Sequence, residues 1–385
     1  MTSSHPRYYW RIAGFYFFYF AFVGMFAPYW SLYLKSLAFD AIQIGLLMSV
    51  QPVMRMLSPT LWGWLADRLG NRRLVVQIAA LGSGLCYLGV FFTTEYYGLM
   101  LVLALMSFFW SASMPLVEAT TLTYLGKNTA QYGRLRSWGS VGFILAVLGL
   151  GFAFDYIAIG WILWAGMAIQ MGILYFSRQI PPAEVIAHHT DSHSIMRIVL
   201  QPRVLALFGA CFLMAVAHGP YYTFFSIYLV EHGYAKSAVG ALWTLGVVCE
   251  IGVFFSMPRL MRRYSLPEIL MVSLALAVIR FLLIAWRVDT LWLLLIAQTL
   301  HAATFGSFHA AAVAMVHRFF RGRHQSRGQA LFGSVSYGAG GMLGGLLSGP
   351  LWLHWGASVM YSFSAVAALS GLGLMWWKLR SLDCV

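Results

Sequence analysis

Five charged residues stand inside, or at the edge of, long apolar runs of this chain: Arg55, Glu118, Arg136, Glu250 and Arg280. Three histidines, His218, His301 and His309, share that setting. An arginine at the centre of a membrane span costs about 2.5–3.5 kcal/mol on insertion scales, so such residues usually face a bundle interior or a wet cavity. There a guanidinium offers a planar fork to a carboxylate, and a carboxyl or imidazole can take up and release a proton. Each also has a structural role open to it, as an ion pair or hydrogen bond locking two helices. Three arginines against two glutamates leave one positive charge, and protonating one glutamate makes it two. That balance suits an anionic solute with an apolar or aromatic body. Tyr222 and Trp243 are the aromatics best placed to line its pocket, with Tyr29, Trp30, Tyr33 and Tyr221 as further candidates; a seat in the interfacial aromatic belt is the alternative for those near span ends. No phosphate loop, nucleophile–base constellation or metal-spaced cluster appears, so we expect no enzyme, no ATP-driven pump, no metal and no cofactor.

The elements that must position these residues follow from composition. Of 385 residues, 60% are apolar and 10% charged, where an ordinary soluble domain carries about 25% charged residues. The chain must sit in a lipid bilayer. A helix needs about 20 apolar residues to cross the hydrocarbon core, and runs of that kind fall near 10–34, 41–65, 74–93, 97–124, 136–155, 158–177, 203–229, 238–258, 267–286, 291–316, 329–350 and 357–377. This is an all-α integral membrane protein of twelve spans, the first of them a true span and no cleavable signal peptide. With both termini inside, 20 of the 25 lysines and arginines fall on the cytoplasmic side, which accounts for the +13 charge without any nucleic-acid partner. The longest connection, from Ser177 to Gln201, is polar and carries His188, His189 and His193; it reads as a solvated linker (179–201) between bundles at 1–178 and 202–385. Cys86, Cys211, Cys249 and Cys384 have no pairing or metal spacing.

The two halves repeat. Shifting the chain by 195 residues lays Ser31 to Leu34 on Ser226 to Leu229, Gly24 on Gly219, Gly45 on Gly240, and Arg55 on Glu250. Two six-helix halves in parallel repeat, handling a solute near the midplane, is a transporter arrangement. Because the two halves already close one site, a functional monomer is expected. Span eleven carries Gly338, Gly340, Gly341, Gly344, Gly345 and Gly349, of which Gly340 with Gly344 and Gly341 with Gly345 stand at small-xxx-small spacing and read as a packing or rocking surface.

The loop after span two reads Gly63-Trp-Leu-Ala-Asp67-Arg68-Leu-Gly70-Asn-Arg72-Arg73. It resembles the GxxxDRxGxRR motif of the major facilitator superfamily at every specified position. In that motif glycine permits tight helix approach and the Asp–Arg cluster can exchange ion pairs as helices rock. Pro115-Leu-Val-Glu118-Ala and Gly133-Arg134-Leu-Arg136 resemble lactose permease and its relatives, with the same eighteen-residue separation between Glu118 and Arg136. The resemblance implies that these two face the solute as a charge pair, and it places Phe143 where the sugar-stacking tryptophan stands. The residue three after the matching histidine, His301, is a proton-carrying glutamate in lactose permease; here it is Thr304. Arg55, Trp138-Gly139-Ser140-Val141, Ala217-His218-Gly-Pro-Tyr221-Tyr222, Leu245-Gly-Val-Val-Cys-Glu250 and Leu300-His301 are similar to the 3-phenylpropionate permease group.

The expectation that follows is a proton-coupled importer in the inner (cytoplasmic) membrane. It takes a small organic acid such as a phenylpropanoid by alternating access, with protons and lipid as its other partners. Glu118, Arg136, Arg55, Phe143, His218, Tyr222 and Trp243 are the candidate solute contacts. Glu250, Arg280 and His301 are the candidates for proton coupling, Glu250 and Arg280 as a pair on neighbouring spans and Glu250 favoured over Glu118 as the carrier. Gly63, Asp67, Arg68, Gly70, Arg72 and Arg73 form the gating motif. A sugar or nucleoside symporter is the alternative, since a glutamate kept in the cavity also suits hydroxyl-rich solutes. A multidrug exporter and a transport-silent sensor rank below both.

Overall fold

A computed structural model describes residues 6–126, 131–182 and 195–379. His188, His189 and His193 of the linker, together with Lys127, Arg380 and Cys384, lie outside the described residues. Inside lipid the backbone has no hydrogen-bond partner but itself, so the apolar runs wind into helices. In chain order these are α1 (Pro6–Ser36), α2 (Ala41–Leu69), α3 (Arg72–Tyr87), α4 (Tyr96–Leu125), α5 (Tyr132–Tyr156) and α6 (Ile162–Ser177). They continue with α7 (Pro202–Glu231), α8 (Lys236–Arg263), α9 (Leu266–Arg287) and α10 (Leu291–Phe319), and end in one stretch, Arg327–Lys378. No strand occurs among the described residues.

Ten described stretches are long and apolar enough to cross a membrane, and α2 is not among them. Its 29 residues suffice in length, but Gln43, Gln51, Arg55, Pro52 and Pro59 dilute the apolar run. The last stretch counts as one yet is two. Gly356 takes φ 80°, ψ 173°, a conformation open to glycine, and breaks the helix into α11 (327–355) and α12 (357–378). Adding α2 and dividing that stretch gives the twelve spans expected. The division between α5 and α6 falls where Ile157 turns extended, ahead of a short 3-10 turn at Ile159–Trp161.

The chain forms two compact units, Met1–Phe39 with Val53–Thr190, and Asp40–Pro52 with Asp191–Val385. In the first, α1 lies on α5 and α6, and α3 lies on α4 and α6. Contact between α1 and α5 is close because Gly24 faces the backbone of Phe143, whose carbonyl oxygen would be 2.7 Å from a Cβ there. Tyr29 donates to the Val147 carbonyl at 2.7 Å, and Trp30 stacks on Phe26 at 5.3 Å. Tyr29, Trp30 and Tyr33 are buried within this unit.

In the second unit α7 crosses α11 in the corresponding way, with Gly219 against the backbone of Gly344. The beginning of α2 packs on the same glycines, since a Cβ on Gly349 would lie 2.5 Å from the Ala41 carbonyl and one on Gly45 would lie 3.0 Å from that of Gly345. The glycine stripe of α11 thus serves two close helix approaches.

The loop motif is built differently from the expectation at one position. Gly70, at φ 64°, ends α2 in the left-handed turn, and Asn71 caps α3 by accepting from the Leu74 amide at 3.0 Å. Arg73 donates to the Arg178 carbonyl at the end of α6, 2.6 Å away. Gly63, expected to permit close helix approach, has nothing among the described residues within 4 Å of where its Cβ would be. Gly344→Leu should therefore lower the unfolding midpoint of the purified protein sharply, by the ~1–3 kcal/mol or more of an overpacked contact, while Gly63→Ala leaves it within error. Equal effects of the two substitutions would contradict this packing.

Candidate functional site

Among the described residues, each unit holds a cluster of charged and polar side chains that includes predicted site residues, and the two clusters are built on different chemistry. In the first unit Glu118 of α4 accepts from the Tyr132 hydroxyl at 3.3 Å and faces Arg136 of α5, Nε to Oε1 at 4.0 Å. Neither charge is sealed away: the side chains are 39% and 32% exposed. Arg136 lies over the Phe20 ring at 3.8 Å and within 5.7 Å of Tyr16, both on α1. Gly139 makes room for this, because a Cβ there would be 2.6 Å from the Phe20 ring and 2.9 Å from Arg136 Nη1. Tyr16 in turn donates to Thr121, one turn along α4 from Glu118, at 3.2 Å. A guanidinium on an aromatic face gains about 0.5–2 kcal/mol depending on its desolvation, so α1 supplies the bed on which the Glu118–Arg136 pair rests.

Arg55 approaches the same aromatic system, 5.9 Å from Trp110, which stacks on Tyr19 at 4.3 Å. It shares a stripe of α2 with Ser58 and Trp62, both of which donate to the Phe108 carbonyl of α4. Leu57, Leu61 and Trp64 form the opposite, exposed stripe. Arg55, itself exposed, projects from the side of α2 opposite those three apolar side chains. Phe143 sits two turns after Arg136 on α5, buried at the contact with Gly24.

The second cluster is centred on Arg280 of α9, which has no exposed surface. Its Nε donates to the Ala297 carbonyl at 3.1 Å, and its Nη1 reaches His218 Nε2 at 3.2 Å and Thr304 Oγ1 at 3.4 Å. Its guanidinium carbon lies 4.2 Å above the Tyr221 ring. His218 Nδ1 stands 2.8 Å from the Met214 carbonyl, which can only accept, while its Nε2 faces an arginine, which can only donate. These two partners hold the imidazole as the neutral Nδ1–H tautomer. Tyr221 donates to Gln298 Oε1 at 3.0 Å, and His301 stacks on Tyr221 and on Phe305. Trp243 donates to Ser226 at 3.1 Å with its ring 4.8 Å from Tyr221 and 6.1 Å from Tyr222.

Two polar clusters inside a twelve-helix repeat, with no nucleophile–base pair in either, match what comparison with known proteins returns. A model of the MFS_1 like family matches residues 9–363. The chain belongs to this family of major facilitator transporters. A probable 3-phenylpropionic acid transporter of Escherichia coli (strain K12) is 32% identical over 362 residues, 91% of this chain and 93% of the relative. The maltose permease of Geobacillus stearothermophilus is 26% identical over 93% of this chain and 91% of its own length. The crystal structure of the nucleoside transporter NupG superposes with a TM-score of 0.82 at 18% identity, covering 98% of this chain and 99% of that one. The protein is a multi-pass membrane transporter of the secondary type and no enzyme.

The transporter brings together Glu118 and Arg136 as their spacing implied, and His218 with Arg280 and His301. It does not bring Glu250 to Arg280. The hydrogen bonds of Arg280 run to α7 and α10, whereas Glu250 lays its stem on α10 further along, with Cγ 3.0 Å from where a Gly306 Cβ would be. α10 widens into a π-helical segment at Ala302–Ser307, within which Thr304 meets Arg280. His309 bonds the Tyr337 hydroxyl at 2.7 Å, joining this helix to a second widened segment, Ser334–Gly340 in α11. Sequence reasoning passed over Gln298 and gave Tyr221 little weight. Both carry helical spacing that marks them: Tyr221 is three residues from His218, and Gln298 precedes His301 and Thr304 by three and six. Tyr221→Phe keeps the ring under Arg280 but strips Gln298 Oε1 of its donor, so it should destabilise the purified transporter by ~1–3 kcal/mol, read as a lower unfolding midpoint; an unchanged midpoint would remove Gln298 from the network.

Proposed function

We propose that this transporter imports a small organic acid with an aromatic or apolar body, driven by protons, across the inner membrane with both termini in the cytoplasm. It acts as a monomer. The observation that carries the reading is the cationic balance of its membrane helices, where Arg55, Arg136 and Arg280 outnumber Glu118 and Glu250. The one carboxylate that meets Arg136 does so at 4.0 Å, longer than a tight charge-assisted hydrogen bond. Arginine over aromatic rings, as at Phe20 and Trp110, is also the lining that an aryl acid needs. The 3-phenylpropionic acid transporter among its relatives supports the same solute class.

In this reading Glu118, Arg136, Arg55, Phe143, His218, Tyr222 and Trp243 are the solute contacts. We assign the coupling proton to Glu250, half-way along α8 beside the widened segment of α10, with His301 and Arg280 as its neighbours in function. Gly63, Asp67, Arg68, Gly70, Arg72 and Arg73 form the gating motif where α2 turns into α3. A sugar or nucleoside symporter is the second reading, supported by Glu118 and by the maltose and nucleoside permeases among its relatives.

The test is uptake by the reconstituted protein in liposomes. An imposed inward proton gradient should drive 3-phenylpropionate accumulation, and a protonophore should collapse it. Maltose or uridine accumulation in place of the acid would establish the second reading. Arg136→Gln should cut acid uptake at least about tenfold, the loss of roughly 1.4 kcal/mol, in vesicles holding normal amounts of folded protein. Glu250→Gln should abolish accumulation yet retain acid exchange down its own gradient. Proton-driven accumulation by that variant would move the proton to Glu118.

A further inference from the structure

A buried charge is tolerated when its neighbours meet it with opposite charge or with a full set of hydrogen bonds. Arg280 has neither. Its partners are a neutral imidazole, a hydroxyl, a carbonyl and the face of a phenol, and its Nη2 has no hydrogen-bond partner at all. Around it stand other buried polar atoms that also go without: Gln298 Nε2, His301 Nδ1 and the Tyr361 hydroxyl. Arg280, Gln298 and Tyr361 are fully buried and His301 is 6% exposed. Gln298 is tied to Tyr221, beneath the guanidinium, and His301 stacks on that same ring. Tyr361 lies within electrostatic reach of Arg280.

Nη2 and Nε2 can only donate, and the other two atoms are able to. Four orphaned buried groups with donor capacity, gathered about one cation in a single unit, are complementary to one kind of group: an acceptor-only anion of two oxygens. Since buried polar groups in native proteins are nearly always partnered, so many orphans in one place mark a missing partner. We propose that this cluster is the anchor for the carboxylate of the transported acid, with Arg280 Nη2 and Gln298 Nε2 as its principal donors. This deepens the organic-acid reading and rests on it. His218, kept neutral because its Nε2 must accept from the Arg280 guanidinium, and Thr304 orient the guanidinium without neutralising it, which leaves the charge for the solute. The rings of Tyr221, Phe305 and Trp243 give the aryl body an apolar seat beside its carboxylate.

The experiment measures binding of 3-phenylpropionate, and of uncharged 3-phenylpropionamide, to the full-length purified protein. Wild type should bind the acid and discriminate against the amide. Arg280→Gln should weaken acid binding about 100-fold, as when one partner of a buried charge pair is truncated, and lose the discrimination. Thr304→Glu offers the guanidinium an internal carboxylate; it should lose acid binding too, and should unfold at a higher temperature than wild type in the absence of acid. If Arg280→Gln does not fold, Thr304→Glu decides. Acid binding by the folded variants within about twofold of wild type, or loss of discrimination in Arg136→Gln with Arg280→Gln unaffected, overturns the assignment. Failure of wild type to bind the acid, with binding of maltose or uridine intact, overturns instead the organic-acid reading beneath it.

Discussion

Within an apolar bundle a polar atom has only the partners the fold builds for it, and that constraint shapes every level of this molecule. Applied to the backbone, it turns each apolar run into a helix. Applied to side chains, it confines charge to the few positions where a second polar group or an aromatic face stands opposite. Ser58 and Trp62 both spend their donors on the single carbonyl of Phe108, and Tyr29 and Tyr228 each reach across to a carbonyl of a neighbouring helix. Such bonds are modest singly, but an unmade one costs about 1–3 kcal/mol, so they fix which face of each helix turns inward.

Close helix approach is the second consequence. A polar side chain reaches its partner only if the helices come near enough, and here glycine sets the distance. Gly139 lets Phe20 lie over Arg136, and Gly24 and Gly219 bring the first helix of each half against its fifth. The sequence repeat at a spacing of 195 residues is thus a repeat of contacts, with Gly24 and Gly219 in equivalent roles. Gly63 marks the limit of reasoning from motif to packing: a glycine in a family motif need not be a contact glycine, and a Cβ there meets nothing.

Much of this was legible beforehand, and what escaped did so for physical reasons. Apolar length located twelve spans, although α2 is too polar to qualify by composition and Gly356 is too short a signal to separate α11 from α12. The eighteen-residue spacing between Glu118 and Arg136 carried over because α4 and α5 are regular helices whose facing sides follow from periodicity. The expected pairing of Glu250 with Arg280 did not. Adjacency of two spans in the sequence says nothing about which of their faces meet, and the hydrogen bonds of Arg280 run to α7 and α10. Gln298, an amide in an apolar run, was the signal most easily read and least used.

The two halves keep one backbone plan and diverge in their chemistry. The 195-residue shift lays Arg55 on Glu250, opposite charges at equivalent positions, and the clusters differ just as much. In the first unit a cation and an anion meet at 4.0 Å with roughly a third of each side chain exposed, a loose pair rather than a tight charge-assisted hydrogen bond. In the second a cation is fully enclosed among neutral groups. An enclosed charge interacts strongly with whatever anion reaches it, because little solvent screens the attraction, but reaching it requires the helices around it to part. A loosely held pair is suited to respond to passing charge, and an enclosed cation is suited to hold it. A device that must bind a solute on one side of a membrane and release it on the other needs both properties, and the duplication of a six-helix unit allows each half to specialise in one.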